Sequence, residues 1–329
     1  VWNLTSEQGV PLRMAFSPDS RRLAAAAVTA VGGQLTTNLY ALPLAQGDPV
    51  LLMLKRRYQF WIAALGLLKL GCVLVPATAQ LQKKDIVYRV QAASVRAIVC
   101  VEEEQVLAHV RASKPDCPTL GTLFTLCDTP GFVNFDKAVA DAPQTLEKPD
   151  DLPQNDDIML MYFTSGTTGM PKMAAHSWTY PLAQIVTAAY WHNVTDADIH
   201  IAVADTGWAK AGWGKMYGQW ICGATLFVYD FDRFVATDLL ERIARYHVTS
   251  FCAPPTVYRF MIKEDMARYD LSALRWANTA GEPLNPEVYN RFLEYTGVKL
   301  HEGFGQSETT PLIMTSKWME PHAGSTGRP

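Results

Sequence analysis

The chain has 329 residues, of which 49% are hydrophobic and 19% are charged, so it is long enough to bury a large core in two lobes. Its formal net charge is -3 and its 29 Lys and Arg residues are scattered, which gives no basic field of the kind that binds nucleic acid. We therefore expect no nucleic acid partner. The most apolar helix candidate, residues 60–68, is too short to cross a bilayer, and we expect no membrane span.

In the first half of the chain, short apolar runs alternate with helical periodicity, a pattern typical of a parallel α/β sheet. The periodicity predicts strands at residues 49–55, 72–77 and 95–100, and helices at residues 60–70 and 85–93. This order predicts a doubly wound lobe over residues 1–155. Residues 129–155 are polar and interrupted by prolines, so we place the boundary between two lobes at their end.

The second lobe, residues 156–329, repeats the α/β pattern. We predict strands at residues 157–163, 200–205, 224–230 and 248–255. One helix is predicted to begin near Ser177, another to follow a Gly/Trp-rich turn, and two more to span residues 237–246 and 287–295. The predicted fold class is α/β with two doubly wound, mostly parallel sheets.

The six cysteines form no CxxC pair, and most lie in apolar strand-like runs, so a reducing compartment fits best. The first ten residues show neither the basic start nor the apolar run of a signal peptide. We expect a cytoplasmic protein, or a protein of the mitochondrial matrix if a transit peptide has been removed.

The stretch "YFTSGTTGMPK", residues 162–172, leaves a predicted strand with several small hydroxyls, two glycines and one cation. Gly166 and Gly169 would let backbone N–H groups converge on an anion, while Lys172 supplies a compact positive charge. Hydroxyl hydrogen bonds would come from Thr164, Ser165, Thr167 and Thr168. This composition predicts a polyphosphate-binding loop. A solvated surface turn is the alternative for a generic Ser/Thr/Gly cluster.

The loop is not a Walker A motif, because the spacing G-x-x-x-x-G-K-[ST] is absent and Pro171 directly precedes the lysine. It resembles the phosphate-binding loop of the adenylate-forming superfamily, which includes acyl-CoA and aryl-CoA synthetases. Two later stretches resemble motifs of the same superfamily in the same order: "NTAGEPLNPEVYNRF", residues 278–292, and "HEGFGQSETT", residues 301–310.

Within that superfamily, the chain most resembles acyl-CoA synthetases of short-to-medium-chain type, through "ADTGWAKAGWGKMYGQW", "CAPPTVYRF" and "GCVLVPATAQLQKKDIVYR". The likeness extends from about Asp48 to Pro329. It implies the large N-terminal domain of such an enzyme, without the mobile C-terminal domain of the relatives. The resemblance therefore also implies that these 329 residues alone are poorly active.

The resemblance implies an ATP-dependent acid:CoA ligase. A carboxylate would attack the α-phosphorus of ATP to give an acyl-adenylate and pyrophosphate, and the thiol of coenzyme A would then take the acyl group. ATP, Mg²⁺, coenzyme A and a small carboxylic acid are the expected ligands. An aryl-acid CoA ligase and a non-catalytic ATP-binding fragment are the alternatives.

The resemblance also implies site residues. The β- and γ-phosphates would be bound by the loop from Thr164 to Lys172, including Met170 and Pro171. Ser307 would bind the α-phosphate and Glu308 would ligate Mg²⁺. With Thr164 and Lys172, these two residues would act in catalysis. The adenine side of the nucleotide site would consist of Gly281, Glu282, Pro283, Glu302, Gly303, Phe304, Gly305 and Gln306.

The predicted acyl pocket comprises Gln80, Trp208, Lys210, Ala280 and Gly305. Trp208 resembles the aromatic gate of the family, although a Trp beside a Gly can also simply be packing. Acetyl-specific relatives carry a Trp where this chain has Gly305, which favours a short, branched or medium acyl group. Lys210 could cap the pocket or reach an acidic partner. His176 is expected to be structural, since a carboxylate substrate is already deprotonated at neutral pH.

Overall fold

A computed structural model describes residues 2–6, 11–16, 23–27, 44–142, 152–164 and 169–329, the first three segments by their backbone alone. The chain divides into two compact units. The first contains residues 9–180 and 205–208, and the second contains residues 2–8, 181–204 and 209–329. Within the described ranges, no helix has the length and apolar character that a membrane crossing requires.

The described strands are β1 (Trp2–Ser6), β2 (Pro11–Phe16), β3 (Leu23–Ala27), β4 (Pro49–Met53), β5 (Val73–Pro76), β6 (Ala97–Cys100), β7 (Thr122–Thr125), β8 (Val133–Asn134), β9 (Ile158–Thr164), β10 (Lys172–Ser177), β11 (Ile199–Ala202), β12 (Thr225–Val228), β13 (Ser250–Ala253), β14 (Trp276–Ala280), β15 (Leu300–Gly305) and β16 (Pro311–Met314).

The described α-helices are α1 (Gln59–Lys69), α2 (Lys83–Ala93), α3 (Glu104–Ser113), α4 (Phe135–Asp141), α5 (Tyr180–Val186), α6 (Ala209–Lys215), α7 (Tyr217–Ile221), α8 (Ala236–Arg245), α9 (Pro255–Met261) and α10 (Pro286–Thr296). Short 3₁₀-helices lie at Lys114–Asp116 and Met266–Arg268, and a π-helical turn lies at Thr187–Trp191.

The first unit is built on a sheet with the strand order β10-β9-β5-β4-β6-β7-β8. All neighbours are parallel except β10, which runs antiparallel to β9. The chain winds outward in both directions from β4, which pairs with β5 on one side and β6 on the other. Four of the five β4 residues are fully buried, as expected for a central parallel strand covered on both faces.

The helices of the first unit follow from their sequence patterns. Helix α1 is apolar all round and is buried from Gln59 to Leu67, so it lies within the unit rather than on its surface. Helix α2 begins at a capping box formed by Gln82 and Asp85 and ends at Ser94 in the left-handed conformation. Its residues Ile86 and Val90 are fully buried in the core beneath the sheet.

In the second unit, the neighbouring strands of the sheet are β16-β15-β14-β13-β11-β12-β1. These strands are parallel except β16, which is antiparallel to β15. Helix α8 packs Leu239, Leu240 and Ile243 into the core at the i, i+1, i+4 spacing of an amphipathic helix. Because the parallel strands all end at one edge, loops that follow them gather there.

The predicted α/β class with mostly parallel sheets is confirmed, and the predicted helices at 60–70, 85–93, 237–246 and 287–295 correspond to α1, α2, α8 and α10. The helix predicted to begin near Ser177 begins at Tyr180. The residues before it form a strand that the sequence does not predict, β10, because they pair with β9. The Gly/Trp-rich stretch is largely helix α6 rather than a turn, with its small residues buried.

The lobe boundary between residues 155 and 156 stays a prediction about functional domains, and the compact units divide the chain elsewhere. The first unit continues to Tyr180 because β9 pairs in parallel with β5 through Leu160 and Leu74. At the other end of the chain, β1 pairs with β12 of the second unit through Leu4 and Leu226.

Candidate functional site

The hydroxyl-rich loop of the first unit leaves the carboxyl end of β9 and re-enters the sheet at β10. Thr164 and Lys172 are paired partners in the antiparallel ladder, so the two stems of the loop are side by side. Lys172 is exposed and Met170 is 58% exposed, which leaves the cation open to a ligand. Four predicted loop residues lie outside the described part of the chain: Ser165, Gly166, Thr167 and Thr168.

Gly169 has φ +116, a backbone conformation that residues other than glycine rarely adopt. The predicted role of this glycine in bending the loop fits that value. Pro171 lies two residues after Gly169 and is half-buried. Its carbonyl oxygen accepts a hydrogen bond from the hydroxyl of Tyr88 at 2.7 Å. On the other stem, Phe163 packs its ring edge-on against Tyr88, with ring centroids 6.0 Å apart. Tyr88 is a residue that the sequence patterns did not single out.

Two predicted pocket residues, Gln80 and Trp208, belong to the first unit. Residues 205–208 lie against the chain that follows β5, and a Cβ built on Gly207 would lie 2.2 Å from the Thr78 amide nitrogen. Only glycine fits at such a backbone approach. Gln80 is exposed and Trp208 is 65% exposed, so both side chains reach the surface of this unit.

In the second unit, the predicted adenine-side residues lie at the carboxyl ends of the adjacent parallel strands β14 and β15. Ala280 ends β14 and is aligned with Gly303 of β15. Gly281, Glu282 and Pro283 follow β14 and are exposed. The structure therefore brings the second and third motifs to one edge of one sheet.

Glycines in the third motif fit against fixed neighbours. A Cβ on Gly303 would lie 2.7 Å from the indole of Trp191, which is fully buried. A Cβ on Gly305 would lie 2.7 Å from the Thr310 carbonyl oxygen and 2.9 Å from Pro311 Cα. Backbone packing is thus a second reason, besides pocket size, for a residue without a side chain at position 305.

The turn after β15 presents polar side chains. Gln306 and Glu308 are exposed, Ser307 is half-buried, and Phe304 is 48% exposed. The Gln306 amide N–H donates to Thr309 Oγ1 at 3.1 Å, which holds the turn. An exposed aromatic ring and an exposed carboxylate four residues apart on one loop suit a ligand with both an aromatic and a charged part.

Comparison with known families matches residues 13–329 to the AMP-binding enzyme family. The chain belongs to that family. The match covers both compact units and all three motifs, so the resemblance seen in the motifs extends over most of the sequence.

Relatives of this AMP-binding chain include the mitochondrial acyl-coenzyme A synthetase ACSM3 of Pongo abelii, 36% identical over 88% of this chain and 49% of the relative. The mitochondrial acyl-coenzyme A synthetase ACSM5 of Mus musculus is 36% identical over 87% of this chain and 49% of the relative. The chain spans about half the length of the curated relatives it matches.

Solved structures show the same fold. The anthranilate CoA ligase AuaEII, crystallised with anthranoyl-AMP, has a TM-score of 0.81 and 25% identity over 88% of this chain and 56% of its own. An acyl-CoA synthetase of Brucella canis has a TM-score of 0.76 and 26% identity over 87% of this chain and 52% of its own. The α/β architecture of this AMP-binding chain is that of the CoA ligases.

Lys210 bonds to a backbone carbonyl group in this AMP-binding chain. Its ammonium group donates to the carbonyl oxygen of Ala280 at 2.8 Å, at the end of β14. Burial lowers the pKa of Lys210, while Cys252 and Glu282 nearby act in the opposite direction. The contact joins two predicted pocket residues and ties α6 to the strand that leads into Gly281.

Glu302 is buried on β15, and its carboxylate accepts a hydrogen bond from Thr326 Oγ1 at 3.2 Å. Burial raises the pKa of Glu302, and the hydrogen bonds from Thr326 and from the Leu284 backbone oppose that rise. The side chain thus connects β15 with the segment after β14 and with the last described residues. Its predicted place beside adenine stays a prediction.

The carboxylate at Glu308 is the predicted Mg²⁺ ligand. Mg²⁺ commonly takes one or two carboxylates and completes its shell with water and substrate phosphates. An exposed Glu308 is consistent with such a site.

Two histidines of the second unit are fully buried in a polar cluster. His200 Nε2 donates to the Gly214 carbonyl oxygen at 2.7 Å, and its Nδ1 lies 2.8 Å from Ser250 Oγ. Burial lowers the pKa of His200 to about 4 and lowers that of His192 well below the usual range. In the first unit, His176 packs 4.3 Å from the ring of Tyr180, which agrees with a structural role.

Proposed function

We propose that this chain binds ATP with Mg²⁺ and forms the nucleotide-binding part of an ATP-dependent acid:CoA ligase. The observation that carries the proposal is the placement of the second and third motifs at the carboxyl ends of β14 and β15, in a chain of the AMP-binding family. Ligands of open α/β sheets bind at that edge. The exposed Lys172 beside Thr164 supplies the phosphate-binding cation of the first unit.

The proposed roles follow from the motifs within each unit. In the first unit, the loop from Thr164 to Lys172 binds the β- and γ-phosphates by charge and hydroxyl hydrogen bonds. In the second unit, Gly281–Pro283 and Phe304 contact adenine, and Ser307 hydrogen-bonds the α-phosphate. These groups act by orienting ATP and neutralising charge that develops on the phosphates.

The proposed chemistry has two steps. A carboxylate oxygen of the acid bonds to the α-phosphorus while the bond from that phosphorus to the pyrophosphate oxygen breaks, which gives an acyl-adenylate and pyrophosphate. The sulfur of coenzyme A then bonds to the acyl carbon, the thiol proton is lost, and AMP leaves. Mg²⁺, ligated by Glu308, neutralises phosphate charge when it is bound.

For the acid, we propose a short, branched or medium-chain acyl group. The support is the small residue at each of two predicted pocket positions, Ala280 and Gly305, and the acyl-coenzyme A synthetases among the relatives. An aryl acid is the second candidate, favoured by the structural likeness to an anthranilate CoA ligase. The relatives are named as mitochondrial, which supports the mitochondrial matrix over the cytoplasm for this protein.

Calorimetric titration of the chain with ATP and Mg²⁺ tests the nucleotide assignment. We expect saturable binding that weakens by about tenfold or more in Lys172→Ala and in Glu308→Ala, because each change removes a charge-assisted contact. Lys137→Ala is the matched control, since Lys137 is an exposed lysine of the first unit with a surface ion pair to Asp128. Equal affinities in all four proteins would contradict the assignment.

Acid-dependent exchange of labelled pyrophosphate into ATP tests the substrate class. Propionate, isobutyrate, hexanoate, benzoate and anthranilate would be compared at equal concentration. Exchange that is strongest with an aliphatic acid supports the first proposal, and exchange that is strongest with an aryl acid supports the second. ATP binding without exchange for any acid would instead identify a non-catalytic nucleotide-binding chain.

A further inference from the structure

Both stems of the predicted phosphate-binding loop contact one tyrosine on a neighbouring helix. We propose that Tyr88 of α2 is a positioning residue, which holds the stems so that Lys172 is presented to the phosphates. This inference rests on the proposed function for its consequence, and on the structure of the ligand-free chain for its geometry.

The helix that carries Tyr88 is fixed on two sides. Its N-terminus is closed by the capping box of Gln82 and Asp85, which satisfies two backbone N–H groups. Its residues Ile86 and Val90 are fully buried in the core of the first unit. Tyr88 is half-buried, so a rigid helix presents its side chain to the loop stems.

The hydroxyl of Tyr88 fixes the second stem. It donates to the Pro171 carbonyl oxygen at 2.7 Å, directly before Lys172. Pro171 has no backbone N–H, and the β9–β10 ladder begins one residue later, with the pair Lys172 and Thr164. The Tyr88 hydrogen bond therefore extends the order of the ladder by one residue, to the peptide bond that leads into Lys172.

The ring of Tyr88 fixes the first stem. It meets the ring of Phe163 edge-on, with centroids 6.0 Å apart and planes at 70°. The guanidinium of Arg89 lies 5.1 Å from the centroid of the same Phe163 ring. Phe163 directly precedes Thr164, so the last residue before the loop is held by two neighbours on α2.

One side chain thus connects the residues that immediately precede Thr164 and Lys172, the two ends of the loop. Because the residues next to Thr164 and Lys172 are already fixed, less entropy is lost when these two residues bind a ligand. We expect the hydroxyl of Tyr88 to matter for phosphate affinity while its ring supports packing. Tyr88→Phe separates the two contributions, because it removes the hydroxyl and keeps the ring.

Amide hydrogen exchange on the ligand-free chain is the first test. In Tyr88→Phe we expect the amides of Thr164, Lys172 and Met173 to exchange about fivefold faster, the amount that corresponds to one ordinary hydrogen bond. Tyr295→Phe is the control, since the Tyr295 hydroxyl accepts a surface hydrogen bond from Arg291 on α10. Unchanged exchange at the three amides in Tyr88→Phe would overturn the inference.

A double-mutant cycle with Mg·ATP, read by calorimetry, is the second test. If Tyr88 acts by placing Lys172, Tyr88→Phe weakens ATP binding about fivefold when Lys172 is present and has little effect in Lys172→Ala. Equal weakening in both backgrounds would show that Tyr88 acts on stability alone and would overturn the inference. If the unchanged chain binds no Mg·ATP, the proposed function fails, and the exchange test still decides whether Tyr88 holds the stems.

Discussion

The two units hold their motifs by opposite means. In the first unit, side chains brace the loop stems: Tyr88 and Arg89 contact Phe163, and Tyr88 also bonds to Pro171. In the second unit, the third motif is held by close backbone packing at a glycine, since Gly303 packs on Trp191. Side chains that support a loop can adjust when one contact is lost. Backbone that is packed directly against a buried ring cannot adjust in this way.

Acidification should produce the largest difference in stability between the two units. Burial lowers the pKa values of His200 and His301, both of the second unit, to about 4. In the unfolded chain their pKa is about 6.5, so between pH 6.5 and 4 the unfolded state binds more protons. Stability of the second unit is full above about pH 6.5 and falls as the pH is lowered, by roughly 3 kcal/mol for each histidine.

Hydrogen exchange measured from pH 7 to pH 4.5, corrected for intrinsic rates, would follow this loss. We expect residues 199–202 of the second unit to lose protection before residues 49–53 of the first. His200→Gln keeps a group that can bond to Gly214 and Ser250 but does not titrate, so it should reduce the pH dependence. The sign would be wrong if protection of the second unit rose on acidification.

A methyl group at Gly303 should lower the stability of the second unit by somewhat less than acidification does. A Cβ there would lie 2.7 Å from the Trp191 ring, and that ring is held by a hydrogen bond from Nε1 to the His301 carbonyl oxygen at 3.2 Å. We expect Gly303→Ala to lower the free energy of unfolding by about 2–3 kcal/mol, measured in urea.

Gly214→Ala is the control for that substitution. Gly214 is also buried in the second unit, but a Cβ there would contact Ala202 at an ordinary 3.7 Å. Because alanine also favours a helix, we expect this variant to stay within about 1 kcal/mol of the unchanged chain. Similar losses in both variants would show that glycine packing does not distinguish the third motif.

The smallest effect concerns the contact of Arg89 with Phe163 in the first unit. Arg89→Leu removes the cation over Phe163, a contact of about 0.5–1 kcal/mol, and should weaken Mg·ATP binding about two- to fivefold. Arg111→Leu removes a comparable contact with Phe132, at 5.3 Å, elsewhere in the same unit, and should leave ATP affinity unchanged. If both variants bind ATP equally well, Arg89 does not help to position the loop stems.

Sequence patterns identify the motifs more readily than the side chains that support them. Strands and amphipathic helices follow from hydrophobic periodicity, so β4, β5, β6, α8 and α10 were predicted close to their observed positions. Lys172, Glu308 and the glycines of the third motif belong to contiguous motifs, which sequence patterns can identify. Their placement at strand ends follows from the parallel sheet order.

What could not be predicted depends on contacts between distant segments. Tyr88 and Pro171 are 83 residues apart, and no local pattern marks a tyrosine on a predicted helix as the partner of that proline. The antiparallel β10 was missed because its residues alternate only weakly in burial, so tertiary pairing with β9 decides their conformation. The sequence assigns Gly305 to the adenine side and to the acyl pocket, whereas its close approach to Thr310 and Pro311 is visible only in the fold.

Detection of an acyl-adenylate tests the central claim most directly. The chain would be incubated with Mg·ATP and each acid class, without coenzyme A, and the acyl-AMP ester quantified by mass spectrometry. Because these 329 residues alone are expected to be poorly active, the account predicts an ester that forms slowly. Its formation requires acid, ATP and Mg²⁺ together, and its yield falls at least tenfold in Lys172→Ala but not in Lys137→Ala. Saturable ATP binding with no acyl-AMP from any acid class would contradict the proposal that this chain activates a carboxylic acid.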